Sequence, residues 1–127
     1  MSVVGTGIDI VENFRLKKLL FKKKSNFKKK IFTDKEIAYC SKKSNMLNCY
    51  SKRFAAKEAF VKALGIGFRE NVNFKDIEVV NNQYGKPSLL LNKKIISKIK
   101  TLYKLKKFNI FLSISDEKKY AIAIVII

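Results

Sequence analysis

The chain has 127 residues, 47% of them hydrophobic, enough for one domain with a modest core, and we expect residues 1–127 to form it. The lack of histidine excludes Ser-His and Cys-His nucleophile pairs and any imidazole base. The formal net charge of +18 favours an anionic partner, although 25 lysines against three arginines also fit codon drift in an AT-rich genome.

The N-terminal segment predicts a strand followed by a helix. Residues 2–10 are rich in β-branched side chains, and Gly5 and Gly7 indicate that another backbone comes close to this strand. From about Val11, apolar residues at helical spacing predict an amphipathic helix. The helical pattern is lost in the lysine-rich stretch that follows. We interpret this stretch, which ends at Lys30, as a solvated loop.

Two helices are predicted in the middle of the chain. Thr33 stands three residues before Glu36, which is the spacing of a capping box, and predicts a short helix over residues 33–41. Residues 49–64 are apolar around the whole helix circumference, and Gly65 supplies a stop signal. We therefore expect this second helix to be central and buried.

The C-terminal half is dominated by strand patterns. Residues 74–80 and 88–91 predict two strands, residues 93–104 a surface helix, and residues 109–114 and 120–127 a closing hairpin. A strand, then helices, then mostly strands favours an α+β fold over a doubly wound parallel sheet. We expect a single domain with an N-terminal strand, a central buried helix and a mostly antiparallel sheet.

The short apolar run over residues 3–11 contains Asp9 and is too short for a membrane span or a signal peptide, so we expect a cytoplasmic protein. Cys40 and Cys49 do not form a CxxC motif, and no histidine is present to complete a zinc site. We expect both cysteines to be reduced and structural.

Charged residues within the apolar central helix are candidates for function, because burying an unpaired ion costs several kcal/mol. Glu58 and Lys62 are four residues apart and so share one face. An ordinary intrahelical ion pair, worth about 0.3–0.5 kcal/mol, explains this spacing equally well. Lys57 and Arg53 lie on a different side, where a surface role and a phosphate contact are both open.

Asp9 is a carboxylate at the end of an apolar, glycine-containing strand. It fits the N-cap of the following helix, which is worth about 1 kcal/mol. It also fits a magnesium ligand, because Mg²⁺ uses one or two carboxylates and completes its octahedron with water and phosphate oxygens. The position of Asp9 alone does not decide between these roles.

Two motifs taken together resemble a known family. Gly7-Ile8-Asp9 and the segment Phe-Ala-Ala-Lys-Glu-Ala-Phe-Val-Lys at residues 54–62 are similar to the two signatures of phosphopantetheinyl transferases. In length, the chain resembles the small bacterial holo-[acyl-carrier-protein] synthase family. Further matches follow in the same order along nearly the whole chain, at residues 5–12, 53–58, 64–67, 85–87 and 112–117.

The resemblance implies the family's transferase fold and an enzyme of fatty acid biosynthesis. Such an enzyme moves 4'-phosphopantetheine from coenzyme A to a serine of apo-acyl carrier protein, giving holo-acyl carrier protein and 3',5'-ADP. Asp9 and Glu58 would hold Mg²⁺ against the pyrophosphate of coenzyme A, and Lys62 would bind the same phosphates. Glu58, directly or through a metal-bound water, would accept the serine proton.

Other residues of these motifs would contact coenzyme A. Lys57 is a weaker candidate for phosphate binding than Lys62. Gly65 and Gly67 would let the nucleotide approach backbone amides, although a helix C-cap explains Gly65 equally well. The chain departs from many family members at Phe111, where they carry a histidine, and this departure puts a nucleotide or substrate contact from that strand in doubt while leaving the metal site untouched.

The resemblance also implies a homotrimer, with active sites at subunit boundaries and an acidic acyl carrier protein as partner. We expect this partner to dock on Arg15, Lys18 and Lys22, which stand at helical spacing. We expect neither a membrane nor a nucleic-acid partner. Two alternatives remain: a nucleic-acid-binding or ribosome-associated protein, suggested by the net charge, and a degenerate relative that only binds carrier protein.

Overall fold

The computed structural model describes residues 2–67 and 71–127. A short 3₁₀ helix, Phe74–Asp76, precedes the second strand. The strands and helices in chain order are β1 (Thr6–Glu12), α1 (Asn13–Leu20), α2 (Phe27–Ile31), α3 (Asp34–Ser41), α4 (Met46–Leu64), β2 (Ile77–Asn81), β3 (Pro87–Leu91), α5 (Lys93–Tyr103), β4 (Phe111–Asp116) and β5 (Tyr120–Ile126).

The strands form two antiparallel sheets. The larger sheet has the order β1-β5-β4, and the smaller pairs β2 with β3. Gly7 lies opposite Val125 and Asp9 opposite Ala123 in the register of β1 with β5. This arrangement of helices and antiparallel strands confirms the α+β fold class predicted from the order of the elements.

The central helix α4 packs on the face of β1 that carries the glycines. A Cβ on Gly5 would lie 2.0 Å from the carbonyl oxygen of Ala63, and one on Gly7 would lie 1.9 Å from that of Ala59. Both distances are far below van der Waals contact, so a side chain at either position would drive the strand from the helix. The predicted close backbone approach is confirmed, and it brings β1 and α4 into direct main-chain contact.

Helix α4 begins earlier than predicted, because the side chain of Asn45 accepts a hydrogen bond from the Asn48 N–H (3.0 Å) and caps it. It ends as predicted at Gly65, whose positive φ of 83° gives a left-handed cap. Within the part of the chain that the structure describes, no helix is long and apolar enough to cross a membrane.

Two boundaries near the N-terminus differ from prediction. Strand β1 continues to Glu12, because its pairing with β5 extends that far, and α1 starts only at Asn13. The lysine-rich stretch is not entirely loop, since it contains α2. That short helix forms because the Phe27 ring packs on Phe54, with centroids 5.7 Å apart, and Ile31 is buried.

The capping box that starts α3 is confirmed. The Glu36 N–H donates to Thr33 Oγ1 (3.2 Å), and the Thr33 N–H donates to Glu36 Oε1 (2.9 Å). The same box turns the chain so that Glu36 points inward, where it is 1% exposed.

The prediction that both cysteines are reduced is wrong. Cys40 and Cys49 form a disulfide, with their Cα atoms 5.5 Å apart. Cys40 belongs to the last turn of α3 and Cys49 to the first turn of α4, and the short connection between these helices brings the two side chains together. The bond therefore ties α3 to the start of the central helix.

Candidate functional site

Asp9 lies within β1 and does not cap a helix. The residue before α1 is Glu12, which makes no side-chain capping bond. The N-cap interpretation of Asp9 is therefore wrong, because the strand continues for three residues beyond it. Its side chain is 16% exposed and is held where β1 meets α4.

Asp9 and Glu58 line the same cavity, which has a volume of about 230 Å³. Strand β1 provides Asp9, and α4 provides Glu58, so the main-chain contact between these two elements brings the carboxylates together. The cavity is also lined by Ile10, Val11, Glu12, Arg15, Leu16, Leu19 and Phe54. The structure thus places two residues 49 positions apart in sequence, Asp9 and Glu58, on one partly apolar site.

Lys62 pairs with β1 instead of with Glu58. Its Nζ lies 3.0 Å from Asp9 Oδ1 and donates to the carbonyl oxygen of Ile8, also at 3.0 Å. Among the residues that the structure describes, Glu58 has no ion-pair partner within 4.0 Å. The intrahelical pair suggested by the spacing is therefore not formed, and the 55% exposed Lys62 side chain retains a third N–H for a ligand.

The environment of Glu58 favours binding of a cation. Burial raises the pKa of the Glu58 carboxyl, and the nearby Asp9 charge raises it further, while Lys62 lowers it. The Glu58 carboxylate, which has no ion-pair partner among the described residues, is thus costly to keep ionised without a compensating charge. A divalent cation held by Asp9 and Glu58 would provide that charge.

The site formed by Asp9 and Glu58 suits Mg²⁺ better than a metal ion that takes all of its ligands from the protein. Within residues 2–67 and 71–127, no group of three or more His, Cys, Asp or Glu side chains could hold a metal ion. Mg²⁺ typically binds one or two carboxylates and takes its other ligands from water and substrate phosphates. Two carboxylates and a partly free lysine beside one cavity match that requirement.

The surroundings of Lys57 do not favour the predicted phosphate-binding role, which stays a prediction. Its side chain is fully buried, and its Nζ lies 2.6 Å from Glu36 Oε1. The same ammonium donates to the carbonyl oxygens of Ile31 (2.6 Å) and Phe74 (3.1 Å), so its three donors are used internally. Burial lowers the pKa of Lys57, and the Glu36 carboxylate opposes that shift.

A second cavity of about 350 Å³ lies beside the N-terminal half of α4, and the sequence did not predict it. Arg53 lines it, 4% exposed, with its Nη2 donating to Asn81 Oδ1 (2.6 Å) and its guanidinium 4.2 Å from the Tyr39 ring centre. Its Nε has no hydrogen-bond partner among the residues described. Lys43 and Lys52 also line this cavity, and three cationic side chains suit an anionic group.

Strand β4 reaches the second cavity through Ile114 and Asp116. Phe111, at the start of the same strand, is 62% exposed and lines neither of these two cavities. The doubt about a ligand contact at Phe111 therefore stands, while the later part of β4 remains available to a ligand.

The two glycines after α4 both have positive φ, 83° at Gly65 and 63° at Gly67. The Gly65 N–H donates to the carbonyl oxygen of Val61 (3.2 Å), so it completes the helix cap. Among the residues that the structure describes, a Cβ on Gly67 would meet nothing within 4 Å. Nucleotide binding at Gly65 and Gly67 remains a prediction.

Two of the three residues predicted to bind the carrier protein lie on α1. Arg15 and Lys18 are exposed there, and Arg15 also lines the cavity that holds Asp9 and Glu58. Lys22 lies beyond the end of α1 at Leu20, so the helical spacing predicted for the third residue is wrong. Carrier binding by Arg15, Lys18 and Lys22 stays a prediction.

Comparison with known proteins defines the class to which this fold and site belong. Residues 5–125 match the family model of the 4'-phosphopantetheinyl transferase superfamily, and the chain belongs to that family. A holo-[acyl-carrier-protein] synthase from Pelagibacter ubique is 54% identical over 127 residues, which cover 100% of this chain and 98% of that protein.

Solved structures show the same relationship. The chain is 37% identical to a holo-(acyl-carrier-protein) synthase from Bacillus anthracis in complex with CoA (3',5'-ADP), with a TM-score of 0.78 and coverage of 98% and 95% of the two chains. It is 34% identical to the holo-[acyl-carrier-protein] synthase from Neisseria meningitidis, with a TM-score of 0.84 and coverage of 98% of each chain.

Proposed function

We propose that the chain, as one transferase domain over residues 1–127, transfers 4'-phosphopantetheine from coenzyme A to a serine of apo-acyl carrier protein. The products are holo-acyl carrier protein and 3',5'-ADP, and the reaction supports fatty acid biosynthesis. One observation carries the proposal: Asp9 and Glu58 share a cavity, and Lys62 pairs with Asp9. The relatives that bear the synthase name over the full length of the chain support it.

We propose that Asp9 and Glu58 hold Mg²⁺, since two carboxylates on one cavity leave coordination positions for phosphate oxygens and water. Held by these two residues, Mg²⁺ would supply positive charge to the pyrophosphate oxygens of coenzyme A, where negative charge develops when the bond from the β-phosphorus to the bridging oxygen breaks. The free N–H of Lys62 donates to the same phosphates. It thereby orients the β-phosphate towards the incoming serine hydroxyl.

Glu58 is also the proposed proton acceptor. The serine oxygen forms a new bond to the β-phosphorus, the bond from this phosphorus to the leaving oxygen of 3',5'-ADP breaks, and the serine proton passes to Glu58 directly or through a water molecule. The sequence contains no histidine that would compete for the role.

We propose that the protein assembles as a homotrimer through the outer face of its larger sheet. Three isoleucines and a phenylalanine are exposed on that face: Ile8 (55%), Ile10 (61%), Ile124 (40%) and Phe111 (62%). Strand alternation places them opposite the glycine-bearing face that packs on α4. A continuous apolar surface of this kind is typical of an interface between copies.

We also place the protein in the cytoplasm, where coenzyme A and acyl carrier protein would both be available to it. The disulfide between Cys40 and Cys49 does not favour this placement, because reducing thiols keep most cytoplasmic cysteines unpaired.

The decisive experiment mixes the protein with apo-acyl carrier protein, coenzyme A and Mg²⁺ and follows the carrier by mass spectrometry. The expected result is a phosphopantetheine adduct on the carrier that depends on Mg²⁺ and disappears with excess chelator. If no adduct forms with the protein and the carrier at comparable concentrations, the proposal is wrong. A protein that binds carrier without modifying it would instead be the degenerate relative.

Charge reversal at Arg15 and Lys18 should weaken carrier binding. The double variant Arg15→Glu/Lys18→Glu is expected to raise the KM for carrier about 10-fold or more and to flatten its dependence on salt. In the single variant Lys18→Glu, the KM for coenzyme A should change little, because Lys18 does not line the cavity with Asp9 and Glu58. A matched control, Lys98→Glu/Lys100→Glu on α5, introduces the same charge change elsewhere, and an equal effect from this pair would contradict docking on α1.

A further inference from the structure

The disulfide between Cys40 and Cys49 borders the second cavity. Cys49 lines this cavity, whereas Cys40 is fully buried in the last turn of α3. The connection from α3 to α4 lies between the two cysteines, and it contributes Lys43, Ser44 and Asn45 to the same cavity. The disulfide therefore restrains the segment that forms one wall of the cavity.

Arg53 connects the disulfide to the charge of the cavity. Its buried guanidinium lies one helical turn after Cys49, and its Nη1 donates to Cys49 Sγ at 3.6 Å. Its Nε has no partner among the described residues, so the guanidinium keeps a donor for an anion. A change at the Cys49 sulfur therefore acts directly on a cation that lines the cavity.

We propose that the oxidation state of the Cys40–Cys49 pair controls how tightly the second cavity binds a phosphate group, and that the disulfide form binds it more tightly. Disulfides in the cytoplasm are usually transient and catalytic or redox-sensing, so a reversible pair also agrees with the proposed location. The choice of phosphate as the anion rests on the proposed function, whose donor substrate and nucleotide product both carry phosphates.

Reduction of the pair would proceed by thiol–disulfide exchange with a low-molecular-weight thiol. The thiolate attacks the sulfur of Cys49, which lines the cavity, and the bond to the sulfur of Cys40 breaks. A second thiol molecule attacks the small-molecule sulfur of the mixed disulfide and releases Cys49. Two electrons have then passed to the cysteine pair, the two thiols have become one small disulfide, and their two protons have gone to the cysteines or to solvent.

Reduction weakens phosphate binding in two ways. The released sulfur of Cys49 is favoured as a thiolate, because it lies in the first turn of α4 and beside the Arg53 guanidinium. This thiolate competes with phosphate for the charge of Arg53. The connection that carries Lys43 also loses its covalent restraint, so binding an anion must order it at a greater entropic cost.

The test compares binding of 3',5'-ADP to the oxidised protein and to the protein reduced with dithiothreitol, by equilibrium dialysis. Mass spectrometry after alkylation reports the state of both cysteines, and circular dichroism confirms that both forms are folded. The Kd should rise about 5-fold or more on reduction. Equal affinity in the two states, tighter binding by the reduced protein, or no binding in either state would overturn the proposal.

The same coupling should appear from the side of the disulfide. Since linkage is reciprocal, saturating 3',5'-ADP should raise the ratio of reduced to oxidised dithiothreitol needed for half reduction, by the factor measured for the Kd. No shift of this ratio would contradict the coupling.

Two variants separate the charge of the Cys49 sulfur from the loss of the covalent restraint. Cys40→Ala leaves Cys49 able to form a thiolate and should bind 3',5'-ADP as weakly as reduced wild type. Cys40→Ala/Cys49→Ala removes both the restraint and the thiolate, so its affinity should lie between those of the two wild-type forms. Neither variant should respond to dithiothreitol, and a response in the double variant would overturn the assignment to this pair.

Transfer kinetics separate this inference from the proposed function. Reduction should raise the KM for coenzyme A and leave kcat near its oxidised value, because the second cavity shares no lining residue with the cavity of Asp9 and Glu58. Transfer with the same KM in both states would refute redox control alone. Redox-dependent binding of 3',5'-ADP by a protein that forms no carrier adduct would refute the proposed function alone.

Discussion

Asp9→Asn and Glu58→Gln are each expected to reduce phosphopantetheine transfer by about 100-fold or more, because each removes one of two carboxylates proposed to hold Mg²⁺. Both substitutions keep the shape of the side chain, so the main-chain contact between β1 and α4 should survive. Initial rates at saturating carrier and coenzyme A, followed by mass spectrometry of the carrier, provide the measurement.

Calorimetric titration with Mg²⁺ distinguishes loss of the metal from loss of a proton acceptor. Both variants should bind Mg²⁺, with coenzyme A present, more weakly than wild type. The matched control is Glu12→Gln, since Glu12 lines the same cavity but has no proposed role in metal binding. It should retain wild-type metal binding and activity within a fewfold. Near-normal transfer by either Asp9→Asn or Glu58→Gln would contradict the proposed metal site.

Lys57→Met should destabilise the fold by about 3–5 kcal/mol, because removing one member of a buried ion pair leaves the other charge without compensation. The Glu36 carboxylate would keep the backbone N–H donors of Thr33 (2.9 Å) and Val79 (2.9 Å) but lose the ammonium at 2.6 Å. Urea unfolding at one fixed protein concentration provides the free energy of unfolding and avoids confusion with changes in assembly.

Two controls test whether the loss comes from the buried charge. Lys52→Met, on the same helix but partly exposed, should change the free energy of unfolding by only about 0.5 kcal/mol. The double variant Lys57→Met/Glu36→Gln removes both charges and should recover part of the loss. Where Lys57→Met remains folded, its KM for coenzyme A should stay near the wild-type value, whereas a phosphate ligand would raise it.

Local sequence signals predicted those parts of the fold that depend on neighbouring residues. The capping box of Thr33 and Glu36 and the glycine stop at Gly65 each act over a few residues, and both are present. The close approach at Gly7 was also predicted, because a glycine inside a strand often marks a point where another backbone comes near.

Long-range contacts account for what was missed. Lys57 was expected to have a surface role or a phosphate contact, because its buried partner Glu36 lies on another helix 21 residues earlier and no spacing rule connects them. The cysteine pair likewise depends on how α3 and α4 meet. The proposed metal site was suggested by the family resemblance, whereas the pairing of Lys62 with Asp9 required the register of β1 against α4.

The backbone contact between Gly7 and Ala59 has a consequence for how the active site tolerates sequence change. If a side chain filled the space between β1 and α4, replacing it with a slightly larger or smaller one would change the spacing of these elements gradually. Here the carbonyl oxygen of Ala59 lies where a Cβ of residue 7 would be, so no side chain fits between them. The separation of Asp9 from Glu58 is therefore set by two main chains, with no side chain between them to vary. Substitutions to lysine on the exposed surface therefore leave the distance between the two proposed metal ligands unchanged, because they do not alter this main-chain contact.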